Sequence, residues 1–200
     1  VDAGGTLIGN NFYVYAGDGN QQRPDVDSDG EDLLVVWHGQ IVDDSVDVAG
    51  RTVSSGGSLG VVLYIAADGG TTRHYPAVAY NAWAGEYLVV FEYGTPSAAI
   101  HARRVGADGS LPGAEYTVIT QPVAEFPDLA AGPWGATGGY VVVWDDNRDG
   151  DANVYGQVVR AGSDSDFDGG DFSIDSSLGH QYEAAITRAP TSGRYLVAWT

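Results

Sequence analysis

The sequence contains no cysteine, no methionine and no lysine. Without cysteine the chain can form no disulfide, no thiolate nucleophile and no cysteine-ligated zinc site. All 9 cationic side chains are therefore Arg, and they face 27 Asp and Glu, of which Asp is the large majority. The resulting net charge of −18 repels nucleic acid and anionic membranes, so we expect neither as a partner. No apolar run reaches the length of a membrane span, and the chain does not start with Met, so we expect a processed or excerpted piece of a longer protein.

What the sequence does contain favours short strands. Apolar residues make up 44% of the chain, which is enough for a folded core, and glycine is abundant at 29 residues. Asp exceeds Glu, as is typical of tight turns and of calcium loops. Two hundred residues suit a single domain or one array of repeats.

Four apolar runs divide the sequence into repeats. The runs are LLVVW at 33, YLVVF at 87, YVVVW at 140 and YLVAW at 195. They recur about every 53 residues, and each has the length and composition of a strand that is buried on both faces. The pattern predicts one repeat array over residues 1–200, with repeats at approximately 1–53, 54–105, 106–159 and 160–200.

Three further short strands accompany each run in a fixed order, so that each unit holds four. Strand A resembles YPAVA, strand B is the apolar run, strand C resembles VYGQVV and strand D resembles EYTVI. Four antiparallel strands per repeat are typical of propeller blades, whereas a β-sandwich, the competing interpretation, does not explain the fixed order. The sequence therefore predicts an all-β fold, a β-propeller of four-stranded antiparallel blades with an incomplete last blade.

Two segments carry a resemblance to a known family. YPAVAYN with EYLVVFEY, and VVVWDDNRDGDANVYGQVV, resemble the TolB-type, WD-like β-propeller repeat. In that family a Pro-led inner strand precedes an apolar strand, an Asn/Asp-Gly turn and a further strand. The resemblance implies the fold and leaves function open, because such propellers serve as scaffolds, receptors and enzyme domains.

The predicted strands do not close the ring. The N-terminal LIGNNFYV matches strand D, and the chain stops after the fourth strand B, so that one strand C is missing between them. A strand edge at 194–199 that is apolar on both faces is a template for pairing. We expect another protein subunit, self-association or further sequence of the same protein to fill the gap.

Three Asp-rich stretches match the first half of a calcium loop, D-x-[DN]-x-[DN]-G. Alternate carboxylates can converge on one cation while Gly permits the sharp bend, and the stretches resemble the calcium hairpins of integrin-α-type propellers. The predicted calcium ligands are Asp25, Asp27, Asp29, Asp145, Asn147, Asp149, Asp151, Asn153, Asp164, Asp166 and Asp168. The alternative is turn chemistry without metal, which the different blade positions of the three stretches favour.

Two further groups of residues are candidates for ligand contact. Trp83 and Trp134 lie in A–B loops beside glycine, where they could stack on a sugar or a peptide, or simply anchor their loops. Asp25 and Asp128 follow the Pro of their A strands, and Glu183 takes the place of that Pro in the fourth copy. Carboxylates on inner strands could act as acid, base and stabiliser in sugar hydrolysis, or could be solvated channel residues.

The absence of a recognisable catalytic motif favours a non-catalytic interpretation. We expect an exported or cell-surface propeller, bacterial or archaeal, that acts as a calcium-stabilised binding or assembly module, with a filament or surface layer as one form of assembly. The alternative is a glycoside-processing enzyme or a lectin-like propeller that binds glycans.

Overall fold

A computed structural model describes residues 4–6, 9–41, 45–67, 70–94, 99–120 and 123–200. These ranges contain fourteen β-strands and no helix. Consecutive strands form three four-stranded antiparallel sheets and one two-stranded sheet. The all-β propeller fold predicted from the sequence is therefore confirmed. No helix in the described residues is long and apolar enough to cross a membrane.

Each sheet is one blade, and its strands follow in the predicted order A, B, C and D. The first blade holds β1 (Gln21–Ser28), β2 (Leu33–Gly39), β3 (Asp47–Val53) and β4 (Leu59–Ala66). The second holds β5 (Arg73–Asn81), β6 (Glu86–Tyr93), β7 (Ala99–Gly106) and β8 (Tyr116–Ile119). The third holds β9 (Ala124–Gly132), β10 (Gly139–Asp146), β11 (Asn153–Arg160) and β12 (Phe172–Asp175), and the fourth holds β13 (Ala185–Arg188) and β14 (Tyr195–Ala198).

The core lies between neighbouring blades. The apolar B strands supply most of it, as expected for strands that contact a blade on each side. Phe91 clusters with Val36 between the first and second blades, and Trp144 clusters with Leu88 between the second and third. A third cluster joins the third and fourth blades. These contacts place the A strands β1, β5, β9 and β13 side by side at the centre.

The N-terminal segment differs from its prediction. Residues 9–17 form no strand, while positions 7 and 8 of the predicted strand lie outside the described residues. The segment instead covers the first blade: the ring of Tyr15 lies 5.4 Å from that of Trp37, and Arg51 donates a hydrogen bond of 2.8 Å to the carbonyl of Val14. The predicted N-terminal strand D is therefore wrong for residues 9–14, which lie against the first blade without joining a sheet.

The last blade exposes apolar side chains. Trp199 is 39% exposed and Leu196 is 67% exposed, whereas the equivalent Trp37 and Trp144 are buried. In the first three blades a third strand covers strand B, and in the described residues none covers β14. Association through the edge at 194–199 remains a prediction.

Candidate functional site

The inner strands line an open cavity of about 370 Å³. Asp25 of β1, Asp128 of β9 and Glu183, two residues before β13, all line it, together with the aromatic rings of Tyr75 and Phe126. The three carboxylates come together from three different blades, because the inner strands of successive blades face the same centre. Asp25 and Asp128 occupy equivalent positions of their strands, and Glu183 occupies a different one. The three carboxylates that were named from the sequence as candidates for sugar hydrolysis therefore line the same cavity.

Four residues at this cavity have backbone angles that are unusual for a side-chain-bearing residue. Their φ values are 50° for Arg23, 49° for Tyr75, 51° for Phe126 and 52° for Glu183. In the first three blades the residue sits at a bulge, directly before a proline, where the pairing of strands A and B slips. We call these four the mouth residues.

The fourth mouth residue corrects the alignment of the repeats. The sequence comparison puts Glu183 in the place of the proline, which is wrong by one position. A proline ring holds φ near −65°, so a residue with φ of 52° cannot be its counterpart. Ala184 is the residue in the proline position, and Glu183 is equivalent to Tyr75 and Phe126.

Three of the four mouth residues contact one another through their side chains. The rings of Tyr75 and Phe126 meet edge to face with centroids 4.7 Å apart, and the Arg23 guanidinium lies 4.9 Å from the Tyr75 ring centre. Aromatic faces beside carboxylates suit a sugar, which has apolar C–H faces and polar hydroxyl edges.

Partial burial raises the pKa of both aspartates and so favours their protonated form. Loss of water raises the pKa of Asp25 and of Asp128, and the nearby charge of Asp25 raises the pKa of Asp128 further. Opposing this, Asp25 accepts the backbone N–H of Val78 at 2.8 Å, and Asp128 accepts that of Ile186 at 2.7 Å. A buried carboxyl with a raised pKa is suited to carry a proton.

Two further acidic residues near the mouth, Glu92 and Asp145, were not identified from the sequence as buried acids with raised pKa. Burial, with a smaller contribution from the charge of Glu125, raises the pKa of Glu92 to about 7 and that of Asp145 to about 6. Glu92 was not singled out, and Asp145 was assigned only to a calcium loop. The detectable signal was an acidic residue directly after the B-strand aromatic, in EYLVVFE and in YVVVWD.

The residues predicted as calcium ligands around 145–153 lie in several settings. Asp145 belongs to β10, is 4% exposed and accepts the backbone N–H of Glu183 at 2.7 Å. Asn153 is buried in β11, and Asp151 lies 3.9 Å from the His180 ring. The backbone carbonyl of Asn147 accepts the Gly150 N–H, and Asp149 accepts the Tyr155 hydroxyl.

The other two Asp-rich stretches are engaged with protein groups. Asp27 accepts the Tyr80 N–H at 2.7 Å from the next blade, and Asp29 closes its own turn. Asp164 pairs with Arg104 at 2.7 Å, while Asp166 and Asp168 both pair with Arg160, at 3.8 and 2.8 Å. Among the described residues no three His, Asp or Glu form a group suited to a metal ion. Calcium binding stays a prediction.

The two loop tryptophans have different surroundings. Trp134 donates its indole N–H to the Tyr195 hydroxyl at 3.2 Å and stacks on that ring, which ties the third blade to the fourth. Trp83 is 50% exposed, with the Arg188 guanidinium 5.5 Å from its ring centre. It lines a second cavity of about 400 Å³ that Asp25 and Asp128 also line.

The comparisons with known proteins agree with this arrangement of strands. No protein-family model and no curated protein matches the sequence. Among solved structures the chain is similar to a Penicillium chrysogenum α-L-arabinanase complexed with arabinobiose, at 16% identity and a TM-score of 0.63 over 96% of this chain and 56% of that one. It is similar to the GH93 α-L-arabinofuranosidase of Fusarium graminearum with arabinobiose, at 16% identity and a TM-score of 0.67 over 97% and 56%. A thermostable family-43 glycoside hydrolase matches at 13% identity and 0.60, over 90% and 65%.

These similarities show a shared β-propeller fold and correct one expectation. The chain spans 56% of the length of the first two of these enzymes. The expectation of a non-catalytic binding or assembly module is contradicted, because the structural neighbours are glycoside-cleaving enzymes. That expectation rested on the absence of a catalytic sequence motif. Carboxylates that converge at the centre of a propeller come from separate blades, so they form no local motif in the sequence.

Proposed function

We propose that this chain is part of a glycoside-processing enzyme that cleaves glycosidic bonds in the cavity between its inner strands. The observation that carries the proposal is the convergence of Asp25, Asp128 and Glu183 on one cavity. The fold shared with arabinan-active enzymes supports it. Arabino-oligosaccharides are the first substrates to test, because arabinobiose is bound in two of those structures.

The environments of the three carboxylates give each a role. Asp128 is the general acid, because burial and the charge of Asp25 raise its pKa and keep a proton available for the glycosidic oxygen. Glu183 is exposed at the mouth, where water reaches it, and acts as the base or nucleophile on the other side of the bond. The charge of Asp25 adds to the effect of burial in raising the pKa of Asp128, and it stabilises positive charge that develops on the sugar ring.

The mouth aromatics bind the sugar next to the scissile bond. The Tyr75 and Phe126 rings line the same cavity as the carboxylates, and their edge-to-face contact fixes both ring planes. A sugar ring stacked there would hold its glycosidic oxygen near Asp128. An exported location fits this activity, because a polymeric glycan cannot cross a membrane to an enzyme inside the cell.

The proposal is tested by a screen of the purified chain against arabinan, arabino-oligosaccharides and aryl glycosides of several sugars. We expect release of reducing ends from at least one substrate. Glu183→Gln and Asp25→Asn should each lower the rate at least 100-fold. Glu31→Gln, which removes an exposed charge from the β1–β2 turn, is the control and should keep the wild-type rate. Binding of a glycan without turnover would support the lectin-like alternative.

A further inference from the structure

Three hydrogen bonds of one kind cross from blade to blade at the mouth. In each, the backbone N–H of a mouth residue is donated to a side chain of the preceding blade. The pairs are Tyr75 with His38 Nδ1 (2.9 Å), Phe126 with Glu92 Oε1 (2.8 Å) and Glu183 with Asp145 Oδ2 (2.7 Å). We call these the mouth hydrogen bonds.

The acceptor side chains occupy one repeated position. Each is the residue directly after the buried aromatic of strand B, in the segments WH, FE and WD. His38 and Glu92 are 5% exposed and Asp145 is 4% exposed. The neighbouring aromatic is buried in each case, in the core between blades in the second and third blades and beneath the ring of Tyr15 in the first, so each acceptor follows a well-packed residue of strand B. The same position therefore supports the mouth in all three blade junctions.

The mouth hydrogen bonds stabilise an otherwise unfavourable backbone. A side-chain-bearing residue at φ near 50° is strained, and such a residue persists only where its surroundings fix it. The angle φ decides where the side chain points from the strand. Without its acceptor, Glu183 would relax toward negative φ and its carboxylate would leave the cavity.

We propose that Asp145 is a positioning residue for Glu183, and that Glu92 positions Phe126 in the same way. Asp145 also accepts the N–H of Ala184 at 3.4 Å, so both ends of its carboxylate hold the segment that precedes β13. The inference rests on the proposed function for its kinetic consequence. Its structural part, that these side chains hold the mouth backbone, stands on the geometry alone.

The mouth hydrogen bonds of Asp145 and Glu92 have the same geometry, but one holds a carboxylate, Glu183, and the other an aromatic ring, Phe126. Loss of each bond should therefore affect a different kinetic constant. Asp145→Ala displaces a reacting carboxylate, and we expect kcat to fall about 100-fold with KM nearly unchanged. Glu92→Ala displaces an aromatic ring that binds sugar, and we expect KM to rise about 10-fold with a smaller change in kcat. A purely structural role would lower the active fraction, and hence kcat, in both variants and would leave KM unchanged in both.

Two further variants complete the design. Asp145→Asn keeps an oxygen that can accept the Glu183 N–H, so it should recover part of the kcat lost in Asp145→Ala, and it serves if the alanine variant does not fold. Asp175→Ala is the matched control. It removes a carboxylate that accepts a backbone N–H, that of Ser177 at 2.9 Å, in an outer strand remote from the cavity, and it should leave kcat and KM unchanged.

Amide hydrogen exchange separates failure of this inference from failure of the proposed function. In Asp145→Ala the Glu183 amide should exchange at least 10-fold faster than in wild type, while the Phe126 amide stays protected; in Glu92→Ala the reverse should hold. Inactivity of the wild-type protein would overturn the proposed function, and exchange would still decide whether the bonds hold the mouth. Unchanged exchange at Glu183 in Asp145→Ala, or a loss of kcat in Glu92→Ala without a change in KM, would overturn the inference.

Discussion

The carboxylate of Asp128 in the third blade accepts the backbone N–H of Ile186 in the fourth blade at 2.7 Å. Asp25 makes the equivalent bond to Val78 between the first and second blades. Inner strands are sheet edges whose N–H groups would otherwise need water, and these carboxylates satisfy them from the adjacent blade. The same aspartates thus join the blades and line the cavity.

Asp27 makes a further hydrogen bond between the first and second blades and has no role in the proposed chemistry. Its substitution therefore measures what such a bond contributes to the free energy of unfolding. Its carboxylate accepts the N–H groups of Tyr80 and Ser28. Asp27→Ala should lower the free energy of unfolding by about 1–2 kcal/mol, because the Tyr80 N–H loses its protein partner. Urea denaturation in the presence of chelator measures the change. Asp175→Ala, which removes a bond within an outer turn, should cost less, and equal costs would show that the inter-blade bond adds nothing.

Glu92 should make stability fall as pH rises. Its pKa is raised from 4.5 to about 7, so between these values the folded protein binds a proton that the unfolded chain has released. The contribution of Glu92 is therefore full below pH 4.5 and is lost as pH rises through 7. Glu92→Gln should be less sensitive than wild type over this interval. Melting temperatures at pH 5 and pH 7.5 test this, with Glu31→Gln as control; parallel curves for wild type and Glu92→Gln would contradict it.

The two loop tryptophans should separate binding from stability. Trp134→Ala loses the bond and the stacking to Tyr195, and should lower the melting temperature by several degrees. Trp83→Ala removes a half-exposed ring beside the second cavity, and should weaken oligosaccharide binding at least several-fold while stability is kept. Calorimetric titration and thermal denaturation measure the two effects. A loss of stability in Trp83→Ala without a loss of affinity would assign it to loop anchoring.

Calcium binding by the Asp-rich stretches should be visible in thermal stability. A cation bound only by the native state raises the melting temperature by mass action. The calcium prediction therefore expects a higher melting temperature in millimolar calcium than in chelator, and expects Asp149→Ala to remove most of the difference. Identical wild-type melting curves in calcium and in chelator would leave the stretches as turns, with Asp149 serving Tyr155.

The fold was predictable because each repeat contains a short apolar run that is recognisable from the local sequence. The apolar runs at 33, 87, 140 and 195 became β2, β6, β10 and β14, each in the expected place in its sheet. The local pattern did not predict the N-terminal segment correctly. Its alternating apolar residues are compatible with a strand and equally with an irregular segment that packs its side chains onto a sheet. In the structure the segment packs onto the first blade, where the ring of Tyr15 contacts that of Trp37.

The site was predictable only in part. Asp25 and Asp128 were found because each follows a proline in a repeated motif. Glu183 was found one position out of register, since a residue with positive φ cannot be told from its neighbour by sequence. Glu92 was missed, because its raised pKa comes from burial and from acidic residues of the third blade that lie far away in the chain.

The most direct test of the central claim is the initial rate of arabino-oligosaccharide cleavage by Asp128→Asn compared with wild type. Asparagine keeps the size of the side chain and an oxygen for the Ile186 N–H, but it carries no proton for the glycosidic oxygen. We expect wild type to cleave and the variant to retain less than about 1% of its rate while it still binds the oligosaccharide. A folded Asp128→Asn with wild-type activity would contradict the account, as would a wild-type protein that cleaves no glycoside.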